Sequence, residues 1–318
     1  EVTVEGLVGQ GRTTEVHRAL FSSLVVAAKT VAASHADDAD ELRALLREAA
    51  VLRAVRHPQL LSMVGCCLRR SPPVILYELC QCSLEAYAEK KRSSGGWTLS
   101  LRRVVKWGGA LAAALECLHA HGVVHRDIKP STVLVSRNGE SLKVSGLALC
   151  AGEDPELVAG LVREQFGDAA GAAEAEGEPS GWRLTETSGA FRYMAPEVFE
   201  GGGMSAGSDV FAAGLLLWFL CAGEHPFPDA SPDDLAEGCV HAAQARPDLS
   251  AVSDLSPPLA DAIRAAWAHD PAARPSAAEL RDRLARIRAP PLEWPAPAAF
   301  RLSSFARWRG SPRVASAN

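Results

Sequence analysis

No stretch of this 318-residue chain stays apolar for the roughly 20 residues that a bilayer span requires. The longest apolar run, Val210 to Ala222, is too short and reads as a buried helix. The first residues, Glu1-Val2-Thr3-Val4-Glu5, carry neither the basic start nor the apolar core of a signal peptide. A basic surplus is missing too. With 33 Lys+Arg against 38 Asp+Glu the formal net charge is −5, which argues against a nucleic-acid or other polyanion binder. The eight cysteines form no C-x-x-C pair, and no cysteine–histidine set has zinc spacing. Most lie in apolar runs, where cysteine acts as a small hydrophobe. This usage predicts a reducing compartment, the cytoplasm. No internal repeat is present.

What is there supports a folded chain. Apolar residues make up 47%, too many for disorder and enough for a sizeable core. At roughly 150 residues per domain, the length fits two domains or one bilobal unit. The first eighty residues read as strand-rich: Val2, Val4, Leu7 and Val16 flank a glycine turn, Phe21 to Val31 holds another strand, and Leu60–Cys67 and Val74–Leu79 are two more. Between them Leu42, Leu45, Leu46, Ala49 and Leu52 recur at helical spacing over Asp40–Val55, stopped by His57-Pro58. Beyond residue 80 the pattern turns helical. Ser100 can cap a helix ended by Gly122, and Ser276-Ala277-Ala278-Glu279 is a capping-box pattern ahead of Leu280, Leu284 and Ile287. Residues 289–318 read as a flexible tail.

One segment stands apart. Ala151 to Gly181 holds eight carboxylates against Arg163 alone, a net charge of −7, and reads as a mobile acidic insertion. Inside it Asp154-Pro155 can start a short helix with Leu157, Leu161, Val162 and Phe166 on one face, which either docks in a groove and holds one conformation or belongs to a loop with no role.

The chemistry is carried by ordered motifs. Gly9-Gln10-Gly11 follows a strand; alone, such a pair is more often a plain hairpin. Thirteen residues past Val16, Val26-Ala27-Ala28-Lys29 ends an apolar strand in a lysine, by itself more often a snorkelling surface residue. Then come His125-Arg126-Asp127-Ile128-Lys129-Pro130 and Ala195-Pro196-Glu197. Together, in this order, they resemble the eukaryotic protein kinases over residues 1–288. Lys129 points to the Ser/Thr type. His57-Pro58-Gln59-Leu60-Leu61, Gly65-Cys66-Cys67 and Phe191-Arg192-Tyr193-Met194 look tyrosine-kinase-like within it.

The resemblance implies an α+β bilobal fold: a small β-rich N-lobe with one main helix over 1–79 and a mostly helical C-lobe over 80–288, with 151–181 inserted in the activation segment. It implies ATP as the bound nucleotide and an unidentified protein substrate or signalling partner. Gly9 and Gly11 would approach the phosphates, while Val16, Ala27 and Leu134 would enclose the adenine. Glu78 to Cys80 would be the hinge, behind the gatekeeper Tyr77. Lys29, braced by Glu48, would hold the α/β-phosphates; Asp127 would take the substrate proton and Lys129 would steady the γ-phosphate. Asp209 would hold the catalytic loop, and Glu197 with Arg274 would form a buried ion pair. Arg126 would receive an activation-segment phosphate.

Four departures matter. Thr132 stands where the family carries a metal-binding asparagine. Leu142-Lys143-Val144-Ser145-Gly146-Leu147-Ala148 replaces the stretch that normally ends in Asp-Phe-Gly. Either Asp-Phe is missing before Gly146, or Gly146-Leu147-Ala148, or Ser145 onward, takes its place; no alignment supplies a carboxylate. Thr14 replaces the third loop glycine and Ala190 an activation-segment threonine. Mg²⁺ wants hard, preferably anionic oxygen, and these positions offer none; Glu140, Glu153 and Asp154 are the conceivable substitutes. The sequence therefore leaves three functions open: a kinase of weak or lost catalysis, a pseudokinase used as an interaction or allosteric module, and a fully active Ser/Thr kinase. The absent metal ligands favour the first two.

Overall fold

Apolar alternation builds the N-terminal sheet. Val2–Gln10 (β1), Thr14–Phe21 (β2) and Leu24–Val31 (β3) are successive antiparallel strands, and Met63–Cys67 (β4) and Val74–Glu78 (β5) complete a sheet of order β1-β2-β3-β5-β4. The computed structural model describes residues 2–167, 191–231, 234, 244–250, 252 and 255–288. Ser22 and Ser23, both at positive φ, make the two-residue turn between β2 and β3, so the strand read over Phe21–Val31 starts at Leu24. The register of β1 on β2 shifts twice, between Val4 and Gly6 and between Leu7 and Gly9.

Ala39–Ala54 (α1) packs on the inner face of this sheet. Asp38 caps it by accepting from the amides of Asp40 and Glu41 at 2.9 and 3.4 Å. Leu45, Leu46, Ala49 and Leu52 are buried, as their spacing requires.

The remainder is mostly helical. Leu84–Ser93 (α2) and Leu101–Ala120 (α3) follow a short strand, Cys82–Ser83 (β6). Ser100 caps α3 by accepting from the Arg103 amide. Val123–Val124 (β7), Val133–Val135 (β8) and Leu142–Val144 (β9) then frame the loops of interest. Ala151–Gly152 (β10) pairs with β7, and Pro155–Phe166 (α4) follows. Pro196–Phe199 (α5) precedes Ala206–Ala222 (α6), which is apolar all round and buried from Ser208 to Leu220. Pro257–Ala266 (α7) and Ala277–Ala285 (α8) close the fold; the Ser276–Glu279 capping box is formed in both directions, at 2.7 and 3.2 Å. The fold is thus α+β, a five-stranded antiparallel sheet with one main helix followed by a helical part. Residues 1–287 form one compact unit; the tail read over 289–318 lies outside the described residues.

The acidic stretch needs correction. Residues 151–167 are not a mobile insertion: they make a paired strand and a docked helix. Val158, Val162 and Phe166 are buried, and Leu157 and Leu161 flank them half-buried. The carboxylates caused the misreading, because Glu156 and Glu164 lie on the outer face of a helix whose inner face is apolar. Residues 168–181, and Ala190, lie outside the described residues. No described helix is long and apolar enough to cross a membrane.

Candidate active site

The periodicity that buries α1 also aims Glu48 inward, since 45, 48, 49 and 52 share one helical face. Glu48 is 1% exposed, and its Oε1 accepts from Lys29 Nζ at 2.8 Å. Lys29 reaches it from β3, where Val16 and Ile75 are its cross-strand partners. Tyr77 of β5 pairs with Ala27 and is buried against the same carboxylate. Burial, then the Glu48 charge, pushes the Tyr77 phenol well above its usual range. Its Oη and Glu48 Oε2 are both buried without a hydrogen-bond partner.

Ala27 is buried, and Val16 and Leu134 are half-buried. Gly9 and Gly11 sit at the β1–β2 turn, closed by the Gly11 amide donating to Thr14 O at 2.7 Å. Glu78 has its amide committed to Ser62 O at 2.9 Å and its carboxylate to Lys143 at 2.7 Å, so it can offer a ligand at most its carbonyl. Burial pushes the Cys80 thiol up to about 12, which makes it inert at neutral pH.

The loop between β7 and β8 is held from beneath. Asp209, near the start of α6, accepts from the amides of His125 (2.8 Å) and Arg126 (2.9 Å) and lies 2.8 Å from His119 Nε2. These bonds hold Arg126 in the left-handed region at φ 71°, uncommon for a non-glycine residue. The His125 ring is fixed at both ends: Nδ1 accepts from the Asp127 amide at 3.2 Å, so Nε2–H donates to Ser145 O at 2.8 Å. Asp127 pairs with Lys129 Nζ at 2.8 Å. Burial raises the Asp127 carboxyl above its ordinary value, and Lys129 offsets part of that rise.

Thr132 and Ser145 turn their hydroxyls into the protein. Thr132 Oγ1 donates to Asp127 O at 2.6 Å and accepts from the Lys129 amide at 3.2 Å. Ser145 Oγ donates to Thr132 O at 2.8 Å. Gly146 then sits at φ 78°, ψ 35°. A β-carbon there would lie 2.6 Å from Thr132 Cγ2 and 2.8 Å from Thr132 Cβ, closer than side chains tolerate. Leu147 is fully buried beneath α1, and Arg47 donates to Ala148 O at 3.1 Å. Two of the three conceivable substitute carboxylates are engaged elsewhere, Glu140 with Lys106 at 2.6 Å and Asp154 with the α4 N-terminus, and Glu153 is exposed just after β10. Among the described residues no group of three or more His, Cys, Asp or Glu could hold a metal. A neutral hydroxyl already spoken for, beside a residue without a side chain, does not fit Mg²⁺.

Farther out, Arg274 grips Glu197 with both terminal nitrogens, at 2.6 and 2.7 Å, and donates to the carbonyls of Ala268, Gly207 and His269. Arg192 is tied to the carbonyls of Pro226 and Phe227. Sequence reasoning did not identify the Thr132–Ser145 brace, the Tyr77–Glu48 juxtaposition or the His119–Asp209 contact; each joins segments that carry no mutual signal in the chain.

Comparison with known proteins agrees with this geometry. The family model described as the protein kinase domain matches residues 2–283. Serine/threonine-protein kinase STY17 of Arabidopsis thaliana is 26% identical over 288 residues, covering 90% of this chain and 45% of that protein. Serine/threonine-protein kinase VIK of the same plant is 26% identical over 286 residues, 89% of this chain and 59% of that protein. Human mitogen-activated protein kinase kinase kinase 7 is 27% identical over 292 residues, 88% of this chain and 41% of that protein. The chain therefore spans about half the length of these relatives. With the sheet, the Asp209-held loop, the Lys29–Glu48 pair and a family model that matches residues 2–283 in agreement, this chain belongs to the protein kinase family.

Proposed function

We propose that the chain is a Ser/Thr-type protein kinase domain that binds ATP but transfers its γ-phosphate to a protein hydroxyl weakly or not at all. Lys29, held by Glu48, supplies the cation for the phosphates, the Gly9–Gly11 turn lets backbone amides approach them, and Val16, Ala27, Leu134 and the Cys80 backbone line the base. In the family's reaction the substrate oxygen attacks the γ-phosphorus, its proton passes to the carboxylate at Asp127, and the bond to the β-phosphate breaks. Such transfer is catalysed mostly by positioning and charge neutralisation.

The observation that carries the reading is the Thr132–Gly146 contact. Where the family holds metal, this chain has an inward-turned hydroxyl packed against a bare α-carbon. Losing one electrostatic stabiliser costs about 10²–10³ in rate. The same observation, beside an intact Lys29–Glu48 pair, favours a second reading as an interaction or allosteric module that uses nucleotide as a ligand.

Thermal-shift titration with ATP tests both. The expected result is a rise in melting point nearly independent of Mg²⁺ and lost in Lys29→Ala, with little or no transfer from γ-labelled ATP to a generic protein acceptor. A large Mg²⁺-dependent gain in affinity with turnover overturns the proposal.

A further inference from the structure

The helix α4 runs from one part of the fold to the other. At its start it is anchored to the helical part: β10 pairs with β7, the Glu153 amide donates to Gly122 O at 2.7 Å, and a β-carbon on Gly122 would lie 3.5 Å from Leu157. Asp154 caps it by accepting from the Glu156 amide at 2.9 Å. At its end it lies on α1, where Gln165 Nε2 donates to Ala50 O at 3.0 Å and Val158, Val162 and Phe166 are each 5% exposed. Ala49 and Ala50, both fully buried, let the two helices approach closely.

The position of that contact matters. At 3.6 residues per turn, Ala50 lies roughly 200° round α1 from Glu48. α1 is thus gripped on opposite sides, by Lys29 through Glu48 and by α4 through the Ala50 face. An outward movement of α1, which would part Glu48 from Lys29, must first break the α4 contact.

We propose that α4 is a positioning element for the nucleotide site: its docking on α1 holds Glu48 against Lys29, so α4 docking and nucleotide binding stabilise each other. The coupling is reciprocal by linkage. For its nucleotide readout the inference rests on the ATP reading above, and the test includes a readout that does not.

In the full chain, Val162→Asp places a charge in the buried face and is expected to undock α4. Undocking shows as tryptic cleavage after Arg163, which requires the helix to open. Two effects are expected in this variant: ATP binds roughly tenfold more weakly, and backbone amides of Leu45–Leu52 exchange hydrogen faster. Gln165→Ala, which removes one bond and leaves the apolar face intact, gives a smaller loss in the same direction and serves if Val162→Asp does not fold. Glu164→Gln, on the exposed face, changes neither. A variant cleaved at Arg163 that keeps wild-type ATP affinity overturns the inference. If the wild type itself binds no ATP, the nucleotide reading has failed separately, and α1 exchange decides: unchanged exchange in the undocked variant overturns α4 as a brace, and faster exchange upholds it.

Discussion

At the residue scale, the decisive pair is Thr132 and Gly146. The close approach involves the Thr132 β-carbon as well as its methyl, so an asparagine at 132 would keep half of it. Gly146→Asp is expected to cost about 1–3 kcal/mol, from positive φ and overpacking together. Thr132→Asn with Gly146→Asp is expected to remain unable to bind Mg·ATP more tightly than ATP; a tenfold Mg²⁺-dependent gain by calorimetric titration would contradict the packing argument. Asp127 gives a pH signature. Burial raises its folded-state pKa above the unfolded value, so its contribution to stability is fullest below the unfolded value and is lost as pH rises through the folded one. Asp127→Asn is therefore expected to raise the melting temperature at neutral pH and to flatten its decline with rising pH, measured by thermal denaturation across that range. The Lys29–Glu48 pair and the hold of Asp209 on the loop were legible because family spacing carries them. The hydroxyl brace was not: a serine and a threonine thirteen positions apart give no hint that both point inward.

At the element scale, local signals succeeded and distant ones failed. Ser100, Gly122 and the Ser276–Glu279 box announced helix ends because capping is chemistry within four residues. For α4 the apolar spacing announced a helix with a face able to dock, but not its partner, which lies more than a hundred residues earlier, and the net charge of −7 pointed as readily to a mobile loop. Elements far apart in sequence are joined by single side chains. Arg274 ties α5, α6 and the turn before α8 together through Glu197 and three carbonyls. Removing one partner of a buried pair costs about 3–5 kcal/mol. Arg274→Ala is expected to lower stability by that amount in denaturant unfolding, with ATP affinity of the folded fraction unchanged. Arg274→Lys should recover little, since an ammonium cannot reproduce the planar fork.

At the scale of the whole molecule, the cysteines report on how the fold opens. Cys66 and Cys67 are exposed on β4, whereas burial pushes the thiols of Cys80, Cys150 and Cys221 each up to about 12. A thiol reagent at neutral pH is expected to label the first two fastest in the folded protein, the partly buried Cys80 and Cys221 more slowly, and the buried Cys150 only on unfolding. ATP should slow labelling at Cys150, which lies near Arg126 and Asp209, without slowing Cys67; equal rates at all five under native conditions would count against the packing described. The bilobal α+β class was readable from motif order and from the shift of period near residue 80. The depth of these thiols was not, because apolar runs that share a composition differ in what covers them.

The two register shifts in β1 bear on how these molecules treat one another at high concentration. β1 is the border of the sheet, and every residue from Val2 to Val8 is exposed, with valines and a leucine among them. Such a border is an open template for another chain's backbone, and a bulge spoils the template by twisting the strand and breaking its regular ladder. Deleting Glu5 would remove the first of the two irregularities, restore a regular ladder from Val2 to Leu7 and remove the partner of Arg18. Light scattering is expected to show that variant self-associating at concentrations where the parent stays dispersed, so the irregularity works as colloidal protection at a surface the fold leaves uncovered.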